Sequence, residues 1–149
     1  MGTRPLSMTA EAARGAALLA KRVEIALTEV DLTPPQYRLL SLLEDGGSTA
    51  TYAAERLAVS PPSVTAIVDG LVARSMVTRQ NVEGDRRRVH LQLTEGGHAA
   101  LARGDAAIAE QLERVALAGT GSGATASASD ALSWWYEAIR SEYASRAGS

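Results

Sequence analysis

From Thr9 to Val30 the apolar positions Ala12, Ala16, Leu19, Val23, Ala26 and Val30 recur four and three residues apart, with no proline between them. That spacing puts them on one face of a helix and predicts a continuous buried stripe, which Leu18 and Ile25 widen. Leu32-Thr33-Pro34-Pro35 breaks the pattern: Thr33 suits an N-cap and Pro34 the first helical turn. A second helix with Tyr37, Leu39, Leu40, Leu42 and Leu43 follows and stops at Gly46-Gly47. Ser48 to Thr51 offers caps for a short third helix ending near Leu57, Ala58-Val59 makes a tight turn, and Ser60-Pro61 starts a fourth helix that runs to about Arg74. This fourth helix buries Val64, Ile67, Val68, Leu71 and Val72. Its other face, Pro62, Ser63, Thr65, Ala66, Asp69 and Gly70, is small or polar, as a face pressed against a flat partner requires.

After Ser75 the period shortens. Val77 to Gln80 reads as one strand, and Val89, Leu91 and Leu93 alternate with His90 and Gln92 in another. The intervening loop, Asn81 to Arg88, has Gly84 for the turn and Arg86-Arg87-Arg88 at its tip. Thr94 caps a long helix carrying Leu101, Ile108, Leu112 and Val115. Gly119 to Ser129, rich in Gly, Ser, Thr and Ala, is expected to be a flexible connection before a last helix from Asp130 with Leu132, Trp135, Ile139 and Tyr143 as its stripe. The expected fold is mainly α with a small β-hairpin wing. It is a single domain in which a winged helix-turn-helix, residues 32–97, is flanked by helices in 1–31 and 98–149.

Composition narrows the chemistry. The 149 residues are 46% hydrophobic but contain no Phe and only 4% aromatics, so alanine carries much of the core and close-packed helices are favoured. With no Cys, disulfides, thiol nucleophiles and thiolate metal sites are excluded. His90 and His98 are isolated, there is no Gly-rich phosphate loop, and no paired carboxylates share a helix face. No catalytic constellation, metal site or cofactor is implied. Leu6 stands where an N-myristoylation signal needs Ser or Thr, and Glu11, Arg14, Lys21 and Glu24 interrupt the early apolar stretch. No membrane segment is expected, and a cytoplasmic location is.

The formal net charge is −2, so any nucleic-acid surface must be local. From Leu71 to His90 five arginines stand against Glu83 and Asp85, a local +3. The positive charge therefore falls on the hairpin directly after the helix-turn-helix, where a β-ribbon can set cations against a sugar–phosphate edge or into a minor groove.

The residues resemble the MarR-type winged helix-turn-helix transcriptional regulators. The likeness lies in Leu32-Thr33-Pro34-Pro35-Gln36-Tyr37, in Leu57-Ala58-Val59-Ser60 at the turn, in Ser63-Val64-Thr65, in Leu71-Val72-Ala73-Arg74, and above all in Asp85-Arg86-Arg87 followed by Val89 to Gly97. The resemblance implies a homodimeric repressor on a pseudo-palindromic double-stranded DNA operator, released by a small aromatic or anionic effector. It implies DNA contacts at Ser60, Pro62, Ser63, Thr65, Ala66, Arg79, Arg86, Arg87 and Arg88. Ser60 would touch phosphate, Ser63 and Thr65 would face bases, Arg87 would enter the minor groove, and Asp85 would hold the wing in shape. It also implies an effector pocket near Leu19, Val23, Tyr37, Arg38 and Leu101. Three positions depart from the family's pattern: Ala66 where a long polar side chain is common, Gly70 on a helix surface, and Ser75 in place of a glycine.

Each residue also has a plainer reading. Ser63 and Thr65 fit a solvated helix face, Arg86 to Arg88 an exposed charge run, and Asp85 a structural pair with Arg87 or Arg79. Tyr37 fits the core, His90 an outward strand position, and His98 a first helical turn. Trp134 and Trp135 fit a dimer interface or a ligand-stacking surface. The competing function is a winged-helix protein-interaction module without operator specificity, which a shallow salt dependence of DNA affinity would reveal.

Overall fold

The computed structural model describes residues 8–120 and 123–147. Its elements run α1 (Ala10–Thr28), α2 (Pro34–Leu43), β1 (Ser48–Thr49), α3 (Ala50–Leu57), α4 (Pro61–Ala73), β2 (Val77–Val82), β3 (Asp85–Leu93), α5 (Glu95–Thr120) and α6 (Gly123–Ala147). Short hydroxyl side chains start the helices, as the sequence predicts. Thr33 accepts from the Gln36 amide at 3.3 Å while the Gln36 side chain accepts from the Thr33 amide at 3.0 Å, a reciprocal capping box. Ser60 caps α4 through the Ser63 amide and Thr94 caps α5 through the Gly97 amide.

Three helices end alike. Asp31, Ala58 and Ser75 take left-handed φ values of 55°, 52° and 57°. The next amide in each case returns to a carbonyl five residues back: Leu32 to Leu27, Val59 to Ala54 and Met76 to Leu71. These are Schellman closures, normally glycine positions, here built on side-chain-bearing residues. Leu32 and Met76, which follow two of them, turn inward and are buried.

The sheet has three strands, in the order β1-β3-β2 and antiparallel throughout. β1 escapes a periodicity argument because it is two residues long. Gly47 makes its pairing possible: φ is +88°, and a β-carbon there would lie 2.5 Å from the Leu91 carbonyl oxygen. The core gathers Leu27, Leu39, Leu40, Leu43, Val64, Val68, Leu71, Val77, Leu91 and Leu101 from α1, α2, α4, both long strands and the start of α5.

Three expectations need correction. Gly119 to Ser129 is no long linker, for α5 reaches Thr120 and α6 begins at Gly123. Ala124, Ala126 and Ala128 are strong helix formers and outweigh the intervening Ser and Thr. The α1 stripe is buried only at Ala26, with Leu19, Val23 and Val30 half-buried, whereas Ala12 and Ala16 are exposed because no element among the described residues covers that half. Finally, β3 starts at Asp85, so Arg86 to Arg88 lie in a strand rather than in the tip loop. The β2–β3 pairing continues past Gln80 to Val82↔Asp85 through an irregularity at Asn81/Val82. Among the described residues no helix is long and apolar enough to cross a membrane.

Candidate nucleic-acid interface

α3, the turn at Ala58 and α4 form the helix-turn-helix. Val64, Val68 and Leu71 anchor α4 in the core, and Ile67 and Val72 pack half-buried beside them. Pro62, Ser63, Thr65, Ala66 and Asp69 remain exposed on the opposite side. Gly70 is half-covered: a β-carbon there would come 3.3 Å from the side-chain Nε2 of Gln36.

The hydroxyls on α4 are partly committed. Ser60 Oγ and Ser63 Oγ share a hydrogen bond of 2.8 Å, and Ser60 Oγ also accepts from the Ser63 amide. Pro61 and Pro62 have no N–H, so the first turn of α4 presents no free backbone donor of the usual anion-binding kind. Ser60 therefore keeps only its hydroxyl for a phosphate. Thr65 Oγ1 donates to the Pro61 carbonyl at 3.1 Å, which leaves its lone pairs and its methyl group outward. That combination suits a base-edge donor or a thymine methyl.

In the wing, Gly84 turns the chain with φ +88° next to Glu83. Arg79 sits opposite Leu91 in the ladder, on the sheet face shared with Val77 and Leu93, and its guanidinium pairs with Asp69 of α4. Arg88 lies 3.9 Å from Asp85 and is largely exposed. The side chains of Arg86 and Arg87 lie outside the described residues. Asp69 as the partner of Arg79 was not foreseen. It is the one acid on α4, which is a visible signal, but its partner lies in another element and no local spacing rule links the two.

The expected effector residues divide. A cavity of about 470 Å³ between α1 and α2 is lined by Val23, Tyr37 and Arg38, together with Ala20, Lys21 and Leu27. Leu19 and Leu101 are not on its wall: Leu101 is buried in the core, and Leu19 is half-buried on α1. On the other side of α2 a second cavity, about 560 Å³, is walled by α2, α3 and α6. All four tyrosines of the chain, Tyr37, Tyr52, Tyr136 and Tyr143, line it together with Arg38, Arg56, Arg140 and Asp45. Arg56 stacks 3.9 Å from the Tyr143 ring centroid, and Arg140 donates to Asp45 at 3.2 Å. Tyr37 donates its hydroxyl to Asp105 of α5 at 2.6 Å. Burial, then that hydrogen bond, push its ionisation well above the ordinary phenol range.

Residues 30–88 match the family model described as MarR family. That stretch of the chain is thus similar to the MarR family. The chain is 40% identical over 78 residues to YhbI of Bacillus subtilis, named as an uncharacterized HTH-type transcriptional regulator; the match covers 52% of this chain and 51% of YhbI. The chain thus spans about half the length of that curated relative. Among solved structures, the transcriptional repressor CouR bound to a 23-mer DNA duplex superposes with a TM-score of 0.70 at 28% identity, covering 94% of this chain and 98% of CouR. MarR of E. coli, in its apo form, superposes with a TM-score of 0.67 at 21% identity, covering 89% and 97%, and shares the fold.

Proposed function

We propose that this chain is a DNA-binding transcriptional regulator of the MarR type, acting in the cytoplasm as a homodimeric repressor. The observation that carries the reading is the outer face of α4: short side chains at Ser63, Thr65 and Ala66, exposed on a helix whose other side is locked into the core, with the arginine-bearing wing beside it. Such a helix can lie deep in a major groove while the ribbon follows the adjacent backbone and minor groove. The likeness to CouR, which is described as a repressor on DNA, supports the same use.

A dimer is supported by the apolar surface left uncovered: Leu18 and Ile25 on α1, and Leu132, Trp134, Trp135 and Ile139 on α6. Monomers rarely expose so many large apolar side chains on their terminal helices, and a second copy would cover them symmetrically. The effector is a small aromatic anion held beside Tyr37 and Arg38, the α2 residues that wall both cavities. The second cavity carries three arginines against Asp45 among its tyrosines, which is the complement of an aromatic carboxylate.

The test is selection of bound duplexes from a random library, followed by fluorescence anisotropy over 50–200 mM salt. A pseudo-palindromic consensus with a steep salt slope is expected. Weak binding with a flat slope, and no consensus, would favour a protein partner instead.

A further inference from the structure

Asp69 lies on the exposed α4 face that begins at Pro62, passes through Ala66 and ends at Ala73, at helical spacings of four, three and four. It places a carboxylate where a groove-bound helix meets phosphates. Arg79, from β2, projects from the wing face turned toward α4 and closes an ion pair with it. The side chains are 37% exposed for Arg79 and 60% for Asp69, so the pair lies at the surface within reach of a bound duplex. Each charge cancels the other at the junction of the two elements expected to grip DNA.

Given the DNA-binding reading above, we infer that Asp69 is a specificity-determining residue: it holds Arg79 off the phosphates and so limits sequence-independent affinity. Arg79 then acts as a brace between recognition helix and wing rather than as a backbone contact. The benefit is discriminatory. Phosphate contacts strengthen every sequence alike, whereas base contacts strengthen one, so a withheld cation raises the ratio of operator to random binding.

The experiment compares the wild type with D69N, D69E, R79Q and the double variant D69N/R79Q. Anisotropy is measured on the selected operator and on a scrambled duplex of equal length from 50 to 200 mM KCl. Circular dichroism and thermal unfolding check each fold. D69N frees one cation per chain, so the slope of log K against log salt should steepen by about 0.9 for each chain bound. Scrambled-duplex affinity at 50 mM should rise about 3-fold or more per chain, and the operator-to-scrambled ratio should fall. D69E should behave like the wild type, R79Q should weaken binding to both duplexes because it bares the Asp69 carboxylate, and the double variant, neutral here like the wild type, should keep the wild-type slope. The inference is overturned if the double variant flattens the slope by about 0.9 relative to the wild type, since Arg79 would then already contact phosphate. It is equally overturned if D69N changes neither slope nor ratio. A wild type that binds neither duplex refutes the DNA-binding reading itself, and this inference falls with it.

Discussion

Replacing Ala58 by glycine should stabilise the protein even though it removes a methyl group and shortens no contact. Ala58 closes α3 at φ 52° and ψ 45°, where an L-residue's β-carbon crowds its own carbonyl. That conformation costs alanine about 1–2 kcal/mol, and glycine nothing. Against this, glycine gains freedom in the unfolded chain worth about 0.5–1 kcal/mol. Ala58 is exposed, so no packing is lost, and the closing bonds Ala58 to Glu55 at 3.2 Å and Val59 to Ala54 at 3.1 Å are backbone bonds that the substitution retains. The balance is a gain of about 0.5–1 kcal/mol, which for a domain of this size raises Tm by roughly 1–4 °C. Differential scanning calorimetry on both proteins at one concentration measures it, and operator affinity should stay unchanged because the turn keeps its geometry. A Tm at or below that of Ala58 would refute the reasoning and show that unfolded-state entropy outweighs the strain.

Gly97→Ala should do the opposite, because a β-carbon there would overlap the Met76 carbonyl oxygen, which is backbone and cannot rotate away; a loss of about 1–3 kcal/mol in urea unfolding is expected. Tyr37→Phe removes the hydroxyl that donates to Asp105 and should cost about 1 kcal/mol, below the roughly 1.5–3 kcal/mol usual for a bond to a charged group because the pair is accessible to water. Since the folded-state ionisation of Tyr37 is raised, its share of stability is complete below the ordinary phenol value of about 10 and lost as pH climbs past it. An alkaline titration followed by tyrosinate absorbance should therefore show one tyrosine ionising late, absent in Tyr37→Phe. Trp135→Glu should leave the winged-helix core folded, because the ring is exposed in the single chain, yet shift light scattering from dimer to monomer. A dimer of unchanged stability would remove α6 from the interface.

Local rules account for what was legible in the sequence. Thr33, Ser60 and Thr94 act within one helical turn, Pro34 and Pro61 mark first turns, and the alternation of Val89, Leu91 and Leu93 needs only a sheet face. What escaped depends on partners on other elements. The two residues of β1 have no period, and only the closeness of Gly47 to Leu91 gives them a strand to join. Asp69 and Arg79 lie on different elements that meet through the core. The span 119–129 misled because glycine and serine suggest a linker, while the alanines among them favour a helix that α5 helps to support. Ala12 and Ala16 have apolar spacing without burial, so a stripe records what a helix is able to cover, not what the same chain supplies to cover it.

β1 has a mechanical consequence. Ser48 and Thr49 pair with Leu91 and His90 at the base of the wing, and Thr49 also holds the first turn of α3 by accepting from the Tyr52 amide at 3.2 Å. The ribbon is thus a lever whose fulcrum is the N-cap of the neighbouring helix. A sideways load on its tip reaches α3 through one residue, without passing through the side chains of the core. The ribbon and the front half of the helix-turn-helix should tilt together, and the compliant joint lies beyond them, at the irregularity between Asn81 and Val82 where the ladder slips.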